Sequence, residues 1–301
     1  MSLPSRRGED DTWLKCEMVE VHGATVLLMW ATGGFFFLWV TTRRREVGIG
    51  YGWTMRITYI GIAGLAVATG FASGVHWPRE IFGLASIAGS LIALAESWFR
   101  RGAGVEGQRE TVERRSQRVA DMTGIDKDEQ RFDVDAPEFR PWLDLLAPAL
   151  GAIAIIAGAV HAEGPGWLSI LRVLAGAVFL GAVSDAMLLG HWYLVQPGLA
   201  RSPILELVRY TMYAWVPHTI VFLLPTGMWS VLNGSIDDGY GGMLGWFWAA
   251  STLATIVLIF VTRAALKERQ YAAVMAATGL MYLAILTAFG QDVVARILLD
   301  R

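Results

Sequence analysis

The chain has 301 residues, 54% of them hydrophobic, and a formal net charge of −2. Its mean hydropathy is +0.44, and apolar runs of about 20 residues, the length that crosses hydrocarbon, recur along almost its whole length. With no basic field to neutralise phosphate, a nucleic-acid partner is excluded.

Residues 1–22 form a polar N-terminal arm without an apolar h-region, so no secretory signal is expected ahead of the first span. Span 1 is expected over 23–41 and stops at Arg43, Arg44 and Arg45. Spans 2 and 3, over 56–76 and 81–99, complete a first membrane block, 23–100. Residues 101–140 carry charges of both signs and form a cytoplasmic loop, whose middle, 107–122, is expected to be a surface helix. A second block, 141–301, holds spans 4 to 8 over 142–161, 168–195, 204–231, 242–262 and 270–297. Span 6 contains Pro217 and Pro225, which release the carbonyls of Tyr213 and Val221 from helical bonding. The fold class is an all-α integral membrane bundle of eight transmembrane helices.

Basic residues set the orientation. With the Arg43–Arg45 loop in the cytoplasm, 18 basic residues fall on that side and 7 on the other. Both termini are then expected on the outer, periplasmic side of a bacterial inner membrane. Small residues recur every four positions at Ala85, Gly89 and Ala93, and at Ala154 and Gly158. Such rows let helices approach closely in lipid, within this chain or against another subunit. Trp77, Trp167, Trp192, Trp229 and Trp246 sit near span ends, as an aromatic belt does. No internal repeat is evident.

Ionisable groups inside apolar runs are costly and mark candidate sites. Asp185 in span 5 and His218 in span 6 are each placed within roughly 15 Å of the cytoplasmic end. Consecutive antiparallel spans pack together, so the expectation is an Asp185–His218 pair. Such a pair suits proton transfer or a hydrogen bond to a quinone carbonyl, with Tyr210 and Tyr213 lining the pocket and His191 at its mouth. The plain alternative is a buried polar pair that only fixes helix packing. Glu96 with Arg100, and Asp292 with Arg296, read as local i, i+4 ion pairs. His22, His76 and His161 share a layer at the outer span ends. They are candidate ligands for a b-type haem, or simply polar residues at helix termini.

Other chemistry is absent from the sequence. No GxxxxGK[ST] loop, HExxH, CxxC or CxxCH occurs, so no nucleotide or metal site is expected. The lone Cys16 forms neither an internal disulfide nor a thiolate cluster. The DKDE of 126–129 lacks the spacing and glycine of a calcium loop.

With about 300 residues, eight spans and few buried charges, the architecture resembles the haem-free quinone-reactive anchors of respiratory complexes. No motif matches residue by residue, and no site is carried over. The leading expectation is an integral membrane subunit of a respiratory or photosynthetic electron-transfer complex, contacting quinone in the cytoplasmic half of the bilayer. It would be at most a non-catalytic or quinone-reactive part of an oxidoreductase, with redox subunits as partners beside the lipid. The alternatives are a proton-coupled transporter or channel, and a purely structural subunit of a supercomplex.

Overall fold

A computed structural model describes residues 10–123, 132–133, 135–161, 166–196 and 199–299. Side chains of 10–22 and of part of 111–123 lie outside that description, as do residues 1–9 and the 126–129 segment. Among the described residues every regular element is helical. The helices are α1 (Asp10–Thr42), α2 (Ile49–Ser73), α3 (Trp77–Phe99), α4 (Glu106–Thr123), α5 (Leu146–His161), α6 (Gly166–Val195), α7 (Ser202–Leu223), α8 (Gly227–Leu232), α9 (Met243–Lys267) and α10 (Tyr271–Leu299). Seven helical stretches are long and apolar enough to cross a membrane, α5 only together with the 3-10 turn Pro141–Leu145 that leads into it, and the chain is a membrane protein. The surface helix expected over 107–122 is α4.

The expected span 6 is two helices rather than one. α7 has 22 residues and carries Glu206 and Arg209 in its first half, so it falls outside the seven apolar helices. It passes through Pro217, stops before Pro225, and α8 resumes for 6 residues. The broken end is held from α6: Arg172 donates to the carbonyls of Val221 (3.4 Å) and Leu224 (3.2 Å). Val221 is the acceptor that Pro225 releases, so this arginine satisfies a group that lipid could not.

Helix neighbours fall into two groups with the same order. α1, α2, α3 and α5 pack in sequence and close into a ring, with α5 back on α1. α6, α7, α9 and α10 do the same, with α10 back on α6. The rings meet where α1 crosses α6, and these are the two most buried spans. Contact there is backbone on backbone. A Cβ on Gly33 would lie 1.8 Å from the Ala177 carbonyl oxygen, and one on Gly181 would lie 2.2 Å from the Gly33 carbonyl carbon. The expected small-residue rows serve the first ring: Gly89 and Ala93 are buried, with Gly89 against Leu146 and Ala147, and Gly158 meets Thr25 and Arg79. Large apolar side chains such as Leu65, Ile92, Leu253 and Leu286 face outward, as lipid contact requires.

Buried ion pairs pin the ring of α1, α2, α3 and α5. Arg56 makes two 2.8 Å bonds to Asp144, just ahead of α5, and its guanidinium lies 4.5 Å from the Phe139 ring centre. Arg79 pairs with Glu80 at the start of α3, both fully buried. Glu206 of α7 takes Arg43 (2.8 Å) and Arg44 (3.0 Å) from the end of α1. At the far end of α9, the carboxylate of Asp238 accepts N–H bonds from Tyr240, Gly242 and Leu244, capping that helix.

Candidate functional site

Asp185 sits fully buried on α6, one turn beyond the Gly181 crossing. Tyr59 of α2 donates its hydroxyl to Asp185 Oδ1. The tyrosine ring reaches it past Gly34 of α1, where a Cβ would lie 2.1 Å from the ring. Phe35 meets the same ring edge to face at 5.7 Å. Asp185 Oδ2 has no partner among the described residues, and neither has the buried hydroxyl of Tyr51, two turns along α2. Neighbouring Ser184 is already engaged, accepting a 2.8 Å bond from Trp30. A buried carboxylate oxygen left without a donor is expensive. A proton on the carboxyl, an ordered water or another donor would each complete Oδ2.

His218 does not meet Asp185. Its Nε2 lies 2.9 Å from Asp292 Oδ1 on α10, and Asp292 Oδ2 takes Arg296 at 2.8 Å. Arg296 also donates to the Arg172 carbonyl at 3.1 Å. Phe179 and Phe222 pack against the imidazole at 4.4 and 5.0 Å, and His218 Nδ1 has no partner among the described residues. The pairing fails on depth. α7 begins at Ser202, so His218 lies about 24 Å along it, whereas Asp185 lies about 15 Å from the end of α6 at Val195. The Asp292–Arg296 pair is local, as expected, but it is also the partner of His218.

The other expected quinone residues scatter. Tyr213 is 63% exposed on the lipid side of α7, and Tyr210 packs on Phe37 at 5.9 Å. His191, on an exposed face of α6, has Nδ1 3.2 Å from the Tyr282 hydroxyl. The five residues therefore line no common pocket. A separate cavity of about 390 Å³ lies between α1, α5 and α6, bordered by Gly33, Phe36, Pro148, Ala152 and Val178. Its one hydroxyl-bearing residue, Thr32, donates to the Leu28 carbonyl at 2.7 Å.

At the other end of the bundle His76 and His161 stack face to face, ring centres 4.3 Å apart and planes 12° from parallel. Two axial haem ligands point their nitrogens at one iron from opposite sides of the macrocycle. Rings packed on each other leave no room for it, so the pair does not fit haem. Burial, the His161 ring and Arg79 together lower the pKa of His76 below its usual value. The side chain of His22 lies outside the described residues. Glu96 pairs with Arg100 at 2.9 Å and with Arg140 at 2.8 Å, an ordinary ion-pair cluster at the arginine-rich end.

Sequence reasoning missed Tyr59, Tyr51 and Arg172. An arginine seven residues into an apolar helix was a signal, as was the spacing of Tyr51 and Tyr59 on one side of α2. No family model, no curated protein and no solved structure matches the chain.

Proposed function

We propose that the chain is a proton-handling integral membrane protein, a proton-coupled transporter or channel, with Asp185 as its proton station. One observation carries this reading: a fully buried carboxylate with no cation, one oxygen on the Tyr59 hydroxyl and the other without a partner among the described residues. Such a group inside a bilayer gains or loses charge at high cost, which is how proton relays couple to a second event. Two further features agree with it. The two helix rings share one order of neighbours and meet chiefly where α1 crosses α6, a paired arrangement that transporters also use, and α7 carries Pro217 within its helix.

The accompanying arrangement is eight crossings, with α7 as the eighth and both termini outside a bacterial inner membrane. At 22 residues α7 is about 33 Å long, enough to span.

A second reading keeps the chain as a quinone-contacting subunit of an electron-transfer complex, with redox subunits as partners. The hydrogen-bonded His191–Tyr282 pair favours it, because it presents polar groups outward near the arginine-rich end. Co-purification of redox subunits in mild detergent would support this reading over the first.

The test of the first reading is a pH jump applied to the protein in a solid-supported membrane. Wild-type protein gives a transient charge displacement, and Asp185→Asn loses it. An identical transient in Asp185→Asn overturns the assignment.

A further inference from the structure

We infer that the cavity between α1, α5 and α6 holds one acyl chain of an anionic phospholipid, whose phosphate rests against Arg43 and Arg140 at the arginine-rich end. The site needs only the membrane-spanning fold and not the proton station. The cavity has a volume of about 390 Å³ and, Thr32 apart, its walls are apolar side chains and glycine. Phe36 and Val178 border it and are 36% and 41% exposed, so it opens on the surface that faces lipid. A void forfeits the dispersion contacts of its walls, and a hydrocarbon chain restores them.

Both walls lead to an arginine. The Arg43 N–H still bonds the Trp39 carbonyl at 2.9 Å, so helical geometry carries Phe36, Trp39 and Arg43 on one stripe. The Phe36 and Trp39 ring centres are 5.8 Å apart, and the Arg43 guanidinium lies 5.2 Å from the Trp39 ring centre. On the other wall Leu145 borders the cavity and ends the turn Pro141–Leu145. Trp142 in that turn is exposed, with the Arg140 guanidinium 5.7 Å from its ring centre. The Thr42 hydroxyl donates to Asp144 Oδ2 at 2.8 Å and joins the two walls at this end. Arg43 follows Thr42 directly, and Arg140 lies four residues before Asp144. From Phe36 to Arg43 the helix rises about 10 Å. The polar layer on each side of a bilayer is about 5–8 Å deep. An arginine among the phosphates therefore sets Phe36 and the cavity within hydrocarbon.

Charge selects the lipid. Glu206 takes both Arg43 and Arg44, and Glu96 takes both Arg100 and Arg140. Each cluster sets two guanidinium charges against one carboxylate and keeps one positive charge in excess. Arg43 is half-buried and Arg140 exposed, so both present N–H groups to a phosphate oxygen. Basic pockets between helices at the membrane surface take anionic headgroups in this way. A zwitterionic lipid offers the same chains, but its ammonium group offsets the phosphate.

Native mass spectrometry of the full chain in mild detergent tests the site, with phosphatidylglycerol and phosphatidylcholine of identical acyl chains as probes. One phosphatidylglycerol is expected to bind about tenfold tighter than phosphatidylcholine. Arg43→Gln and Arg140→Gln should each weaken phosphatidylglycerol about fivefold and leave phosphatidylcholine unchanged. Ala152→Phe fills the cavity and should weaken both lipids. Ala149→Leu acts in the same direction from the exposed rim, and decides the matter if Ala152→Phe fails to fold. Arg114→Gln, on α4 beside Glu110, should keep the wild-type affinities. Equal affinity for the two lipids, or wild-type binding in both Arg43→Gln and Arg140→Gln, overturns the phosphate site. Wild-type binding in Ala152→Phe and Ala149→Leu overturns the cavity as the seat of the chain. A dimer that the cavity variants abolish puts a second copy in the groove and overturns the lipid.

Discussion

Replacing Gly33 by alanine tests the crossing on which the two rings depend. The new methyl would lie 1.8 Å from the Ala177 carbonyl oxygen and 3.1 Å from the Gly181 Cα. Both are backbone atoms, so no side chain can swing away. Restoring ordinary contact at 3.4 Å moves α1 and α6 about 1.6 Å apart at that point. Overpacking a well-filled interior typically costs about 1–3 kcal/mol. Here the separation also loosens neighbours along both helices, so about 3 kcal/mol is expected. Gly181→Ala meets the Gly33 backbone at 2.2 Å and should cost a similar amount. One separation relieves both clashes, so the double variant should cost less than the sum, with a coupling of at least about 0.5 kcal/mol. Gly61→Ala is the control. A Cβ there has nothing within 4 Å, and alanine in an exposed helical position is neutral or slightly stabilising. The assay is reversible unfolding in mixed detergent micelles. Gly33→Ala within about 0.5 kcal/mol of wild type would refute the backbone contact as the joint between the rings.

Asp144→Ala strands the buried Arg56 guanidinium and should destabilise by about 3–5 kcal/mol, whereas the double variant Arg56→Met with Asp144→Leu should recover most of it. Unfolding of the single and double variants checks this. Arg172→Leu exposes the Val221 and Leu224 carbonyls to an apolar surround and should cost about 1–3 kcal/mol for each group lost. Hydrogen exchange should then rise first around the α7–α8 break. At Asp238, burial pushes the carboxyl pKa up. N–H bonds from Gly242, Tyr240, Leu244 and Gly245 outweigh it, and the pKa ends below the ordinary carboxylate range. A lowered folded value stabilises fully above the unfolded pKa of about 4 and is lost as pH falls through the folded value. Asp238→Asn should flatten this acid loss in thermal unfolding measured from about pH 5 downwards.

Much of this protein is local and was legible along the chain. Runs of apolar residues give helices that cross a bilayer whatever their neighbours, because each satisfies its own backbone bonds. The stop at Arg43–Arg45, the α4 surface helix and the i, i+4 pairs of Glu96 and Asp292 depend on spacings of a few residues. Pro225 announced a freed carbonyl at Val221, but not that Arg172, 49 residues earlier, would take it. Tyr59 stands 126 residues from Asp185, and Asp292 stands 74 from His218. Neither partner follows from periodicity. Each is fixed by which helices become neighbours and by how deep each side chain lies in the shared register. The sequence set the membrane and the helices. The Gly33–Gly181 contact and the lengths of α6 and α7 decided which polar groups meet, because packing geometry selects partners that spacing along one helix cannot.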